Sequence, residues 1–192
     1  MLPSVTTILK VVGLAPDFSM IPEDTLNAAR DRGTAVHAAI EGHHYGYETA
    51  LAPEHKPWFD AYLRFVEQTA HVPIVSENEV VNEAWGYCGH PDRIGWLTLE
   101  GFTGHRTVID FKSGASAGVE WQLAAYAAAW NAQHPQQPID RAVAVALKKN
   151  GTYRLLPEHR GQDGKMQIGV DLKAATTVWQ AAVVVFHARG GK

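Results

Sequence analysis

One cysteine, Cys88, stands among 192 residues, so no internal disulfide can form and a reducing compartment is expected. Long apolar runs are missing too. None reaches the roughly 18 residues of a membrane span, and the first residues lack the basic and apolar regions of a secretory signal, so a cytoplasmic location is expected with no membrane partner. Excess positive charge is also absent: 17 Lys and Arg stand against 20 Asp and Glu, for a net charge of -3. That balance does not advertise nucleic-acid binding. It does not exclude it either, because an acidic metal-binding centre lowers the total while local Arg and Lys can still line a groove. Repeats and low-complexity linkers are lacking. With 46% hydrophobic and 19% charged residues, the composition is that of an ordinary globular chain, expected to form a single domain over residues 1–192.

What the chain does contain is concentrated between His90 and Gly114, HPDRIGWLTLEGFTGHRTVIDFKSG. Side chains two apart on a strand share a face, so Asp110 and Lys112 point one way and Ile109 and Phe111 into the opposite layer. Arg93 to Leu99 is also strand-like, and the glycines of Glu100 to Gly104 supply a hairpin loop. A fold about Gly101 makes facing residue numbers sum to roughly 202, which sets Asp92 opposite Asp110. Two carboxylates that close raise each other's pKa unless a cation lies between them, and a divalent metal answers that need. By residue types alone, a surface Asp–Lys pair beside a loop Asp fits equally well.

Around this hairpin the patterning predicts further elements. A helix starts near Glu23 or Asp24, with a buried stripe at Leu26, Ala29, Gly33, Val36 and Ile40. Gly33 in mid-helix implies something close to its backbone. His37 flanks the stripe, and Gly42 with Gly46 suggests that the helix has ended by His43 and His44. A separate zinc site on those histidines lacks further ligands at metal-binding spacing. A second helix over Pro57 to Ala70 presents Trp58, Phe59, Tyr62, Phe65 and Val66 as core. Pro73 to Val81 alternates as a strand with Val75, Glu77, Glu79 and Val81 on one face. Glu79 could reach the acidic centre, but a solvated or Lys-paired glutamate fits it as well. Beyond a small-residue loop at Ser113 to Gly118, a helix over Val119 to Gln133 aligns Gln122, Tyr126 and Trp130. Arg141 to Lys148 reads as a strand parallel to that of Lys112, and Asn150-Gly151 as a hairpin turn before Thr152 to Leu156. A helix from Leu172 to His187 closes the chain.

Pro91-Asp92 followed by Asp110-Phe111-Lys112 resembles the signature of the PD-(D/E)XK nucleases. Arg32 to His37 (RGTAVH), GYCGHPDRIG around Asp92, VIDFKSG, Gln122 to Tyr126 (QLAAY) and the opening LPSVTTIL resemble successive motifs of the RecB-type, phage-type exonuclease branch, which includes CRISPR-adaptation nucleases and the mitochondrial genome maintenance exonuclease. The resemblance covers about residues 2–130, in the family's order. It implies a restriction-endonuclease-like α/β fold with an αβββαβ core, its mixed central sheet flanked by helices. It also implies a metal-dependent DNA exonuclease of recombination, repair or phage DNA processing. Asp92, Asp110 and Lys112 would be catalytic. His37, Asp92, Asp110 and the Phe111 carbonyl would hold Mg²⁺ or Mn²⁺, and Gln122, Tyr126 and Arg32 would contact substrate. Some members carry an iron–sulfur cluster on four cysteines; with Cys88 alone, none is expected here. The partners implied are single- or double-stranded DNA ends in a bacterial or phage-infected cell, with a single-strand annealing protein and a homo-oligomer as further candidates. Alternatives are an endonuclease or structure-specific nuclease of the same fold, and an inactive DNA- or protein-binding module.

Overall fold

The computed structural model describes residues 2–114, 117–160 and 166–191. In chain order its elements are α1 (Val5–Val11), α2 (Glu23–Tyr45), α3 (Lys56–Thr69), β1 (Val72–Ser76), β2 (Val80–Asn82), β3 (Tyr87–Gly89), β4 (Arg93–Trp96), β5 (Thr107–Lys112), α4 (Val119–Gln133), β6 (Arg141–Leu147), β7 (Tyr153–Leu156), β8 (Glu158–Arg160), β9 (Met166–Ile168) and α5 (Leu172–Ala188). Local chemistry sets several of the boundaries. Glu23 and Asp24 sit in the first turn of α2, where carboxylates suit the helix dipole. Asp171 caps α5, its Oδ1 accepting from the Ala174 N–H at 3.0 Å.

Five strands form one mixed sheet in the order β1-β4-β5-β6-β7. β4 and β5 are antiparallel, with Arg93 facing Ile109, Ile94 facing Val108 and Gly95 facing Thr107, each pair summing to 202 as the hairpin geometry predicts. β6 runs parallel to β5, with Asp110 opposite Ala144 and Lys112 opposite Ala146, and α4 makes the crossover. β7 returns antiparallel to β6 after the Asn150-Gly151 turn.

Alternation along β5 divides the protein into two apolar layers. Val108 joins Ile94, Ala142 and Ala144 beneath α1, α4 and α5. Ile109 and Phe111 join Val143 and Val145 beneath α2 and α3, where Tyr62 and Phe65 pack edge-on to Phe111. The expected division of the β5 side chains holds, with Asp110 on the α4 side. Among the described residues, no helix is long and apolar enough to cross a membrane.

Some local expectations need correction. The predicted strand over Pro73 to Val81 is two strands. β1 bulges between Pro73 and Val75 on β4, then breaks at Glu77, whose φ of 54° is left-handed, and β2 pairs with β3 in a separate two-stranded sheet. Helix α2 does not stop at Gly42. It runs to Tyr45 and ends on Gly46 at φ 75°, because Gly42 instead admits the chain at Tyr47 and Thr49, which a Cβ there would strike. Gly33 is under no such constraint, since a Cβ would meet only Ser113 Oγ at 3.7 Å. β4 ends at Trp96 rather than Leu99, and the short strands β8 and β9 had no sequence signal strong enough to announce them. The predicted loop at Ser113 to Gly118 lies partly outside the described residues.

Candidate active site

Asp92 lies just before β4 and Asp110 within β5, so hairpin register brings their stretches side by side. Asp92 is 8% exposed, and its Oδ2 accepts from the Phe111 N–H at 2.6 Å, which fixes the carboxylate against the neighbouring strand. Asp110 is 2% exposed. Its Oδ2 meets the Lys112 ammonium at 2.8 Å, as two residues on one face of a strand should. Apart from that ammonium, no hydrogen-bond donor reaches the buried Oδ2 among the described residues.

Helix α4 closes this side. The Gln122 amide oxygen accepts from Lys112 Nζ at 3.1 Å, while its Nε2 donates to Asp110 Oδ1 at 3.3 Å and to the Tyr126 hydroxyl at 2.9 Å. Tyr126 reaches that position across Gly89 of β3, where a Cβ would come within 2.4 Å of the ring. Trp130, the third residue of the predicted stripe, does not belong to the site: it stacks on His134 and donates to the Gln137 carbonyl at 2.8 Å.

From the opposite layer, α2 contributes His37. Its Nε2 donates to the Phe111 carbonyl at 3.0 Å, and its Nδ1 lies 3.6 Å from Asp92 Oδ1 and 4.0 Å from Glu77 Oε1. One ligand-type atom each from His37, Glu77 and Asp92 lie within 4.8 Å of one another. Arg32, further back on α2, donates from Nη2 to the Ser113 carbonyl at 3.1 Å and stacks over Trp58 at 4.8 Å, so it pins α2 to the chain just after Lys112.

Sequence reasoning missed two participants. Glu77 joins the cluster in place of its neighbour Glu79, because the left-handed turn at Glu77 ends the strand and swings its carboxylate toward His37. The available signal was Glu77-Asn78, a poor strand pair inside an apolar run. Arg93 was read only as part of a motif. It is 1% exposed, and its odd-numbered position beside Asp92 and opposite Ile109 marked it for the α2 and α3 layer.

The electrostatics favour positive charge. Burial, then the Asp110 charge, push the Asp92 carboxyl up to about 7. Burial alone would lower the His37 pKa, but Glu77, Asp92, Asp110 and the Phe111 carbonyl outweigh it and raise it to about 9. Burial likewise opposes the charge on Lys112, yet Asp110 prevails and its pKa rises. Tyr126 is held firmly as a phenol by burial and then by Asp110. Protonated His37 and a proton shared with Asp92 are what such a cluster holds when nothing else supplies cationic charge. Ligand-type atoms of His37, Glu77 and Asp92 lie close enough together to share a hard divalent ion such as Mg²⁺ or Mn²⁺, whereas Asp110, expected as a ligand, falls outside that group and presents a buried oxygen that, among the described residues, no hydrogen-bond donor but the Lys112 ammonium reaches. No protein-family model matches this chain, and neither does any curated protein with which it was compared.

Proposed function

We propose that the protein is a divalent-metal-dependent deoxyribonuclease of the PD-(D/E)XK kind, acting as an exonuclease on DNA ends. The observation that carries this reading is the meeting of His37 of α2, Glu77 just after β1 and Asp92 just before β4, beside the ion-paired Asp110 and Lys112 of β5. The element order supports a restriction-endonuclease-like core: helices, then antiparallel β1, β4 and β5, then α4, then β6 parallel to β5.

Asp92, Asp110, His37 and the Phe111 carbonyl would hold the metal, with Glu77 as an added acidic ligand or as a partner of His37. When bound, Mg²⁺ or Mn²⁺ supplies charge neutralisation at the phosphate and a water of lowered pKa. Lys112, kept as an ammonium by Asp110, donates to the attacking water or to phosphate oxygens as charge develops there. Gln122 orients that ammonium. Tyr126 accepts from Gln122, which leaves its own hydroxyl proton free for a phosphate oxygen. Arg32 offers its remaining guanidinium N–H groups to the same backbone while holding α2 in place.

Digestion of fluorescently end-labelled DNA in Mg²⁺ or Mn²⁺ tests the reading. Ends should shorten in metal and stay intact in chelator, and a purified wild type inert on both single- and double-stranded ends would defeat it. A closed circle should survive; its nicking would reassign the protein as an endonuclease.

A further inference from the structure

Arg93 is nearly inaccessible, and among the described residues no carboxylate lies within ion-pair distance of it. A buried guanidinium without a counter-ion is costly unless its N–H groups find acceptors; Nε finds none among the described residues, so the two Nη atoms carry all of the bonding. Its bonds go to three separate segments. Nη1 donates to the Ser76 hydroxyl and, at 2.7 Å, to the Asp92 carbonyl, while Nη2 donates to the Ile40 carbonyl at 3.4 Å. Ile40 lies one turn beyond His37 on α2, and Ser76 immediately precedes Glu77. The Asp92 carbonyl also accepts from the Glu77 N–H at 3.3 Å, so it is a shared node for both residues.

We propose that Arg93 is a positioning residue that sets the spacing of His37, Glu77 and Asp92 by tying α2, the end of β1 and the start of β4 to one rigid fork. The inference rests on the nuclease reading for what that spacing serves. Consecutive strand residues face opposite ways, so Arg93 lies under the sheet from the Asp92 side chain and acts through backbone. Only a planar fork with several fixed N–H directions satisfies acceptors on three segments at once; a lysine ammonium at that depth reaches fewer of them.

The test uses the full chain as wild type, Arg93→Gln and Arg93→Lys. In metal-free protein, amide hydrogen exchange at Glu77 and Phe111 reports the two bonds to Asp92, with Val143 and Val145 of β6 as internal references. Arg93→Gln should speed exchange at Glu77 and Phe111 about tenfold and leave the references unchanged, with Arg93→Lys in between. The Mn²⁺ concentration for half-maximal cleavage should rise about tenfold, and saturating Mn²⁺ should restore most of the rate. Wild-type exchange at both amides in Arg93→Gln overturns the proposal, as does a cleavage defect that saturating Mn²⁺ leaves in place. If Arg93→Gln does not fold, Ser76→Ala decides by removing one arm: faster exchange at Glu77 supports the clamp and wild-type exchange there defeats it. An inert wild type defeats the nuclease reading alone, since the exchange comparison still judges the clamp.

Discussion

Around Asp110 the polar side chains form a connected chain of contacts of 2.8 to 3.3 Å: Lys112 and Gln122 each reach Asp110 and one another, and Gln122 also reaches Tyr126. Around Asp92 the side chains stand off, with His37 3.6 Å from Asp92 and 4.0 Å from Glu77. Exposure separates the two groups less sharply: the Asp110 side chain is 3% accessible and those of His37 and Glu77 are 33% and 37%, while Lys112 at 25% and Asp92 at 12% lie between. The closed half pairs the Asp110 charge with Lys112 and leaves one buried Asp110 oxygen with room for a further partner. The open half has more negative charge than its contacts absorb, and a gap in which a cation fits. On the proposed reading, the first half positions Lys112 and lends Asp110 to the metal, and the second supplies the other ligands.

The largest effect should come from disabling the closed half. Asp110→Asn keeps the shape but removes the charge that holds Lys112, and we expect cleavage to fall by about 10²–10³-fold in the end-label assay with the circular dichroism spectrum unchanged. A variant as active as wild type breaks the assignment of this half. The open half is addressed by Glu77→Gln, which should weaken Mn²⁺ binding by about 10–100-fold in calorimetric titration. Unchanged affinity would show Glu77 to be a bystander and remove it from the cluster. Gly89→Ala reaches the closed half indirectly by driving a methyl into the Tyr126 ring. It should cost about 1–3 kcal/mol in denaturant unfolding and displace the Gln122 amide, leaving Mn²⁺ affinity close to wild type.

The smallest and most diagnostic effect is on pH. Asp92 and His37 both bind protons more tightly in the folded than in the unfolded chain, where their ordinary values are 3.8 and 6.5. The folded state then gains stability on acidification and loses it as pH rises, for Asp92 between 3.8 and about 7 and for His37 between 6.5 and about 9. Metal-free protein should therefore grow less stable from neutral pH to about 9, and His37→Gln should flatten that part of the curve. A wild-type midpoint that does not fall over this range contradicts the cation-seeking character of the open half.

Much of this arrangement was legible in the sequence where periodicity and register speak. The 202 sum placed Asp92 beside the Asp110 strand, the two-residue alternation put Lys112 with Asp110, and the four-residue step put Gln122 and Tyr126 on one edge of α4. Glu77 and Arg93 were not legible in the same way, because their roles depend on events without a period. A single left-handed residue ends β1, and a guanidinium passes beneath the sheet to backbone carbonyls that no side-chain pattern records. Gly42 misled for a related reason: a glycine that breaks one helix can, in another, admit a passing loop.

The irregular end of β1 has a consequence for how this molecule keeps company. β1 is an outermost strand of the main sheet with Val72 and Ile74 on its surface, the sort of margin along which a stray extended chain could dock. Pro73 offers no N–H, the bulge beside it skews the row of carbonyls, and at Glu77 the strand turns away altogether. The kink that delivers a carboxylate inward thereby also denies strangers a straight template to zip against.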